Sequence, residues 1–237
     1  MALDHDRCMP SDPTLPSTDI ELNLLRQVVD SGLLRCGVPR RLGGSPDGLD
    51  ALAAGAAEFA THRPGAAWLL WAQRMAIEAL LQSPNIGLRE LWLADFLSGE
   101  RAATLAPSFN ALQAHDTGRG WLLDGQLVAV PNLQWAGFSL VAPVRLQGPD
   151  THWVLLRGEE DGLYIGPHAG GKPPGHALIA TIQLKHVFFR EDEYLDGPDL
   201  PQRLAPVASA LAASLPARTD WDRMAQPQLP SHHTPPT

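Results

Sequence analysis

Apolar positions early in the chain recur at helical spacing. Ile20, Leu24, Val28 and Leu33 fall close to one face, preceded by Ser17, Thr18 and Asp19 as N-cap candidates. Gly37 and Pro39 interrupt the pattern, so a first helix is predicted to end near Cys36 and Gly37. Three more helices are predicted before Gly99. Asp47 or Asp50 can cap the first, which carries Leu52, Ala56 and Phe59 inward. Pro64 suits the first turn of the second, where its missing N–H costs nothing. That helix carries Trp68, Trp71, Met75 and Leu80, and the Trp68/Trp71 pair, three residues apart on one face, reads as core. The third runs from about Ile86 through Leu91, Trp92 and Phe96 to Ser98.

After Gly99 the period shortens towards two. Residues 121–130 read as two strands joined by a hairpin turn at Asp124-Gly125. Further strands are predicted over 137–146, 152–157, 162–167 and 177–189, separated by Gly, Pro and Asp turns. An Ala/Leu-rich run, 204–215, reads as one closing helix. The predicted fold class is α+β: an N-terminal α-helical domain, then a small antiparallel β-barrel or sandwich, then a short C-terminal helix.

Composition fits this picture. Of 237 residues, 44% are hydrophobic and 19% charged, enough to bury a real core. A formal charge of −8 gives no overall attraction for nucleic acid or an acidic membrane face, though a local basic patch can still hold an anion. Residues 1–16 are Pro-rich and polar with no apolar signal region, and no run approaches the roughly 18 apolar residues of a membrane span. A soluble, cytoplasmic protein is expected. Cys8 and Cys36 are too few for a disulfide framework or a metal site. His232 and His233 lack the further ligands that a metal needs, so no metal is expected.

Four stretches carry a family resemblance: residues 32–44 (GLLRCGVPRRLGG), 91–104 with LSGE at 97–100, 120–125 (GWLLDG) and 179–191 (IATIQLKHVFFRE). Their order and spacing resemble the acyl-CoA dehydrogenase superfamily. On that resemblance, residues 17–99 match its N-terminal helical domain and 100–195 its middle β-barrel domain. Residues 196–237 then hold a short helix and a tail where the family's C-terminal helical domain is absent. The resemblance implies a flavin-dependent oxidoreductase of the CH-CH donor class, with FAD as cofactor and an acyl-CoA as ligand. It also implies a homo-oligomer or a partner chain. Monooxygenase-like relatives share the architecture, so scaffold is better fixed than reaction.

The same resemblance locates the flavin positions. The family's threonine, which opens a phosphate-gripping loop, falls on Ser108; the hydroxyl is kept, but the Glu-Pro and Gly-Ser-Asp of that loop are not. The family's Trp-Ile-Thr wall falls on Ala129, Val130 and Pro131, which offer neither a stacking ring nor, at Pro131, a hydroxyl or N–H. Trp135 is the nearest aromatic that could stack in its place. The catalytic glutamate belongs to the missing domain, and Glu191, Asp192 and Glu193 do not match it, reading as a solvated run. No catalytic residue is assigned. The expected function is a truncated flavin oxidoreductase unable to catalyse alone, with a non-catalytic binding or scaffold module as the alternative.

Overall fold

The computed structural model of the chain describes residues 18–134, 137–166 and 179–215. The N-terminal 1–16, Trp135 and the His232/His233 tail lie outside them. Among the described residues, five helices, α1 Thr18–Asp30, α2 Leu49–His62, α3 Pro64–Gln82, α4 Ile86–Ser98 and α5 Leu200–Ala210, accompany eight strands.

α3 is the axis of the helical part. Every residue from Gly65 to Leu80 is buried, and α1, α2, α4 and α5 all pack on it. A helix apolar around nearly its whole circumference has no solvent face to offer, which is why it takes the centre. Its start follows the predicted logic, with Pro64 in the first turn. α4 is capped by Asn85, whose side-chain oxygen accepts the Leu88 N–H at 3.1 Å, and it ends where Gly99 turns to φ 74°.

The first helix is shorter than its pattern. α1 stops at Asp30; Gly32 takes φ 76° and a 3-10 turn, Leu33–Arg35, follows. Leu33 therefore continues the apolar spacing by chance of the turn and not on the same helix. Leu34, Cys36 and Val38 are buried beyond it.

The strands β1 Ala102–Leu105, β2 Leu112–Asp116, β3 Trp121–Val130, β4 Phe138–Arg145, β5 His152–Arg157, β6 Leu163–Gly166, β7 Ala180–Phe189 and β8 Tyr194–Asp196 form one sheet. Its order is β6-β7-β3-β2-β4-β5-β8, with β1 also paired to β4. The sheet is mostly antiparallel, as expected, and differs from that expectation where β1 and β2 both run parallel to β4.

The hairpin is also displaced. β3 is continuous through Asp124 and Gly125, and the turn lies earlier, at 117–120, joining β2 to β3 in antiparallel register. Gly125, at φ 142°, instead serves a bulge: the register with β7 shifts between Leu123 and Gly125. A Gly inside an alternating run marks a bulge as readily as a turn, and the pairing partner decides which.

α5 begins at Leu200, directly after Asp199, and passes through Leu211 into a 3-10 turn, Ala212–Ser214. Its Leu200, Leu204, Val207 and Ala208 are buried against α2 and α3. Asp196 and Arg203 pair at its foot. Helices and sheet share one continuous apolar core. Among the described residues, no helix is long and apolar enough to cross a membrane, and no group of three or more His, Cys, Asp or Glu is placed to hold a metal ion.

Candidate flavin-binding surface

Ser108 sits on a loop forced out of the sheet by arithmetic of register. Leu105 pairs with Val141 and Leu112 with Val144, so seven steps of chain (105 to 112) span three on β4 (141 to 144). The surplus, residues 106–111, must leave the plane. The Ala106 N–H anchors its start on the Val141 carbonyl at 2.9 Å. Ser108 is half-buried, and its Oγ accepts the Asn110 N–H at 3.1 Å, closing a local turn. Phe109 packs edge-on to Trp153, ring centres 6.1 Å apart, which pins the loop's tip to β5.

The second wall is set by another bulge. Leu127 pairs with Ile182 and Val130 with Ala180, three steps on β3 against two on β7. Ala129 absorbs the surplus at φ 56° and Asn132 follows at φ 61°. This twist turns Val130 and Pro131 into the core, where Val130 is fully buried and Pro131 is buried too.

Asn132, fully buried, reaches the helical part. Its Nδ2 donates to Gln73 Oε1 at 2.8 Å and to the Ala103 carbonyl at 2.8 Å, while Gln134 Nε2 donates to its Oδ1 at 3.2 Å. Gln73 in turn donates to the carbonyls of Phe96, at 2.8 Å, and Arg101, at 3.0 Å, and accepts the Ala103 N–H at 2.7 Å. Both walls therefore attach to β1. One is its continuation and the other is hydrogen-bonded to Ala103.

These positions do not fit a flavin as the resemblance would place it. The stacking position, Ala129, is half-buried but carries no ring, and Val130 and Pro131 beside it are buried and present no open face. Ser108 keeps a hydroxyl whose oxygen accepts the Asn110 N–H and whose O–H remains available as a donor. Trp135, the substitute platform, lies outside the described residues. Gln73 and Asn132 were missed from sequence, although Gln73, Arg74 and Glu78 inside a mostly apolar α3 were a legible signal of buried polar networks.

The titratable groups nearby are structural. Arg101 spans the helix–sheet junction: its Nη1 and Nη2 meet the two oxygens of Glu159 at 3.1 and 2.7 Å, and its guanidinium lies 5.0 Å over the Trp92 ring. That bidentate contact holds the Glu159 carboxyl below its ordinary range. Of the acidic run, Glu191 and Asp192 are exposed as expected. Glu193 departs from it, half-buried, with its Oε2 accepting the Arg190 N–H at 2.8 Å, and burial pushes its carboxyl up. It caps a turn and faces neither loop 106–111 nor residues 129–134 through any hydrogen bond among the described residues.

No protein-family model matches the sequence, and no curated protein does. Solved structures do match. PigA with FAD and proline is 17% identical, with a TM-score of 0.68, over 84% of this chain and 56% of that one. The acyl-CoA dehydrogenase complexed with FAD from Bacillus anthracis is 18% identical, with a TM-score of 0.71, over 84% of this chain and 36% of that one.

The fold is that of the acyl-CoA dehydrogenases. A third match, the ChsE4-ChsE5 complex from Mycobacterium tuberculosis, is 18% identical with a TM-score of 0.63, over 83% of this chain and 57% of that one. The chain thus spans between about a third and three fifths of the length of these structures. Within that span, the acyl-CoA dehydrogenase-like helices and sheet follow the predicted order.

Proposed function

We propose that this chain is a module of an acyl-CoA dehydrogenase-type flavin oxidoreductase that neither holds flavin tightly nor catalyses by itself. The carrying observation is at residues 129–131, where the resemblance puts the flavin wall: Ala129 has no ring to stack, and Val130 and Pro131 are buried. The structural neighbours include FAD complexes, of PigA and of the acyl-CoA dehydrogenase from Bacillus anthracis, which supports the oxidoreductase class. Association with a partner chain or as a homo-oligomer would complete the site; a neighbour that is itself a complex, ChsE4-ChsE5, supports that arrangement. The ligand of the assembled site would be an acyl thioester. A soluble, cytoplasmic setting agrees with the composition.

The test is the visible spectrum of the purified chain after incubation with excess FAD and removal of free cofactor. No flavin bands are expected, and no reduction of added FAD by acyl-CoA thioesters. A yellow protein whose absorbance near 450 nm bleaches with a thioester would overturn the reading.

A further inference from the structure

Away from the loops just described, a cleft of about 230 Å³ opens at the far end of α3. Arg41 and Leu42 form one wall, Glu78, Leu81 and Gln82 another, and Arg89 of α4 a third. Its inner wall is a buried chain of partners. Arg74, with no exposed side-chain surface, donates to Glu78 Oε2 at 2.8 Å and to the Cys36 carbonyl at 3.2 Å. Gln82 Nε2 donates to the other Glu78 oxygen at 2.8 Å. The one carboxylate in the cleft therefore has both oxygens engaged and its charge matched by Arg74.

Arg41 and Arg89, unlike Arg74 on the inner wall, are not engaged. Arg74, Arg101, Arg157 and Arg203 each meet a carboxylate. Among the described residues, the side chains of Arg41 and Arg89 make no hydrogen bond or ion pair. Two uncompensated guanidinium groups thus line one concavity in a chain of formal charge −8. A low-dielectric wall behind such a pair focuses its field into the cleft and concentrates anions there. Guanidinium forks match the oxygens of carboxylates and phosphates.

We propose that this cleft binds a small molecule bearing a carboxylate or phosphate group, gripped by Arg41 and Arg89, with its apolar stem against Leu42 and Leu81. The volume sets the size of the ligand. It is below the roughly 300–1,000 Å³ of sites that enclose drug-sized ligands, so a whole coenzyme does not fit and a compact anion does.

The whole chain, isotopically labelled, is titrated with sodium phosphate and separately with sodium succinate, ionic strength being held constant with sodium chloride. Saturable amide shifts at Gly37, Arg41, Leu42 and Arg89 are expected with at least one of the two anions, and which one saturates identifies the ligand class. Arg41→Gln and Arg89→Gln should each weaken that binding about tenfold, the loss of one charge-assisted hydrogen bond. Arg157→Gln, on the sheet, should leave it unchanged. Linear, non-saturating shifts with both anions overturn the proposal from the wild-type chain alone. Wild-type affinity in both Arg41→Gln and Arg89→Gln overturns it equally.

Discussion

The side-chain oxygen of Gln73 accepts hydrogen bonds from Asn132 Nδ2 at 2.8 Å and from the Ala103 N–H at 2.7 Å, so one glutamine on the central helix fixes both the first strand and the exit of the third. Both side chains are fully buried. The helical part and the sheet are therefore joined by directional bonds as well as by apolar packing, at the place where the resemblance puts a cofactor wall.

Asn132→Leu removes two donors and places a γ-branched residue at φ 61°. Unsatisfied buried groups cost about 1–3 kcal/mol each and left-handed backbone about 1–2 kcal/mol, so a loss of about 3–5 kcal/mol is expected. Gln73→Leu strands the Phe96, Arg101 and Ala103 groups as well and should cost a similar amount. Because the two share one bond, the double variant should lose less than the sum of the singles. Urea unfolding of the three variants checks this; strict additivity would show that the pair is not coupled.

The buried Arg74–Glu78 pair makes a sharper case. Glu78→Gln leaves a guanidinium without counter-charge in the core, which costs about 3–5 kcal/mol for buried pairs. Replacing both, as Arg74→Met with Glu78→Leu, removes the desolvation problem along with the attraction. That double variant should recover most of the stability lost by Glu78→Gln. Thermal unfolding midpoints in the order wild type, double variant, Glu78→Gln are expected; a double variant no better than Glu78→Gln would count against a charge-driven cost.

Which parts of this were legible in the sequence follows from which interactions are local. Helices α2, α3 and α4 were, because Pro64 and Gly99 act within a turn of themselves and the apolar positions repeat; the Asn85 cap was seen only in the structure. The end of α1 was not: Leu33 keeps helical spacing across Gly32, and only the positive φ of that glycine breaks the helix. The hairpin was misplaced because Asp124-Gly125 satisfies the rule for a turn as well as for a bulge, and the partner strand that decides between them is about 60 residues away. Parallel pairing of β1 and β2 with β4 has no sequence signature at all. At the candidate site, Ser108, Val130 and Pro131 were located by resemblance. Their burial and the Asn132–Gln73 contact arise from register, which spacing does not reveal.

The bulge opposite Gly125 should be sensitive to acid. Asp124 Oδ1 accepts the His186 N–H at 3.0 Å, and both its oxygens lie 2.9 Å from His186 Nδ1, with His186 held at φ 54°. The His186 N–H first, and then the His186 ring, hold the Asp124 carboxyl below its ordinary range against the opposing effect of burial. A depressed carboxylate stabilises the fold above its unfolded pKa and loses that contribution as pH falls through the lower, folded value. Asp124→Asn should therefore be less stable than wild type near pH 7, by no more than about 1 kcal/mol for so exposed a pair. The difference should narrow towards pH 2. A gap that is constant over that range would assign the effect to shape and not to charge.

The last helix closes the core from outside the sheet. Leu204 is fully buried between α2 and α3, and Arg203 beside it pairs with the buried Asp196. Leu204→Ala should cost about 2–5 kcal/mol, the range for a buried leucine whose cavity only partly collapses. Arg203→Met acts differently, leaving the Asp196 carboxylate with the Gly197 N–H, at 2.7 Å, as its remaining hydrogen-bond partner among the described residues. If α5 is part of the cooperative core, both changes lower the global unfolding midpoint, and amide protection falls together in α3 and α5. If α5 is only a flap on the surface, amides of 200–211 lose protection while those of α3 keep theirs. The first pattern is expected, because α3 has no face left to expose without opening the molecule.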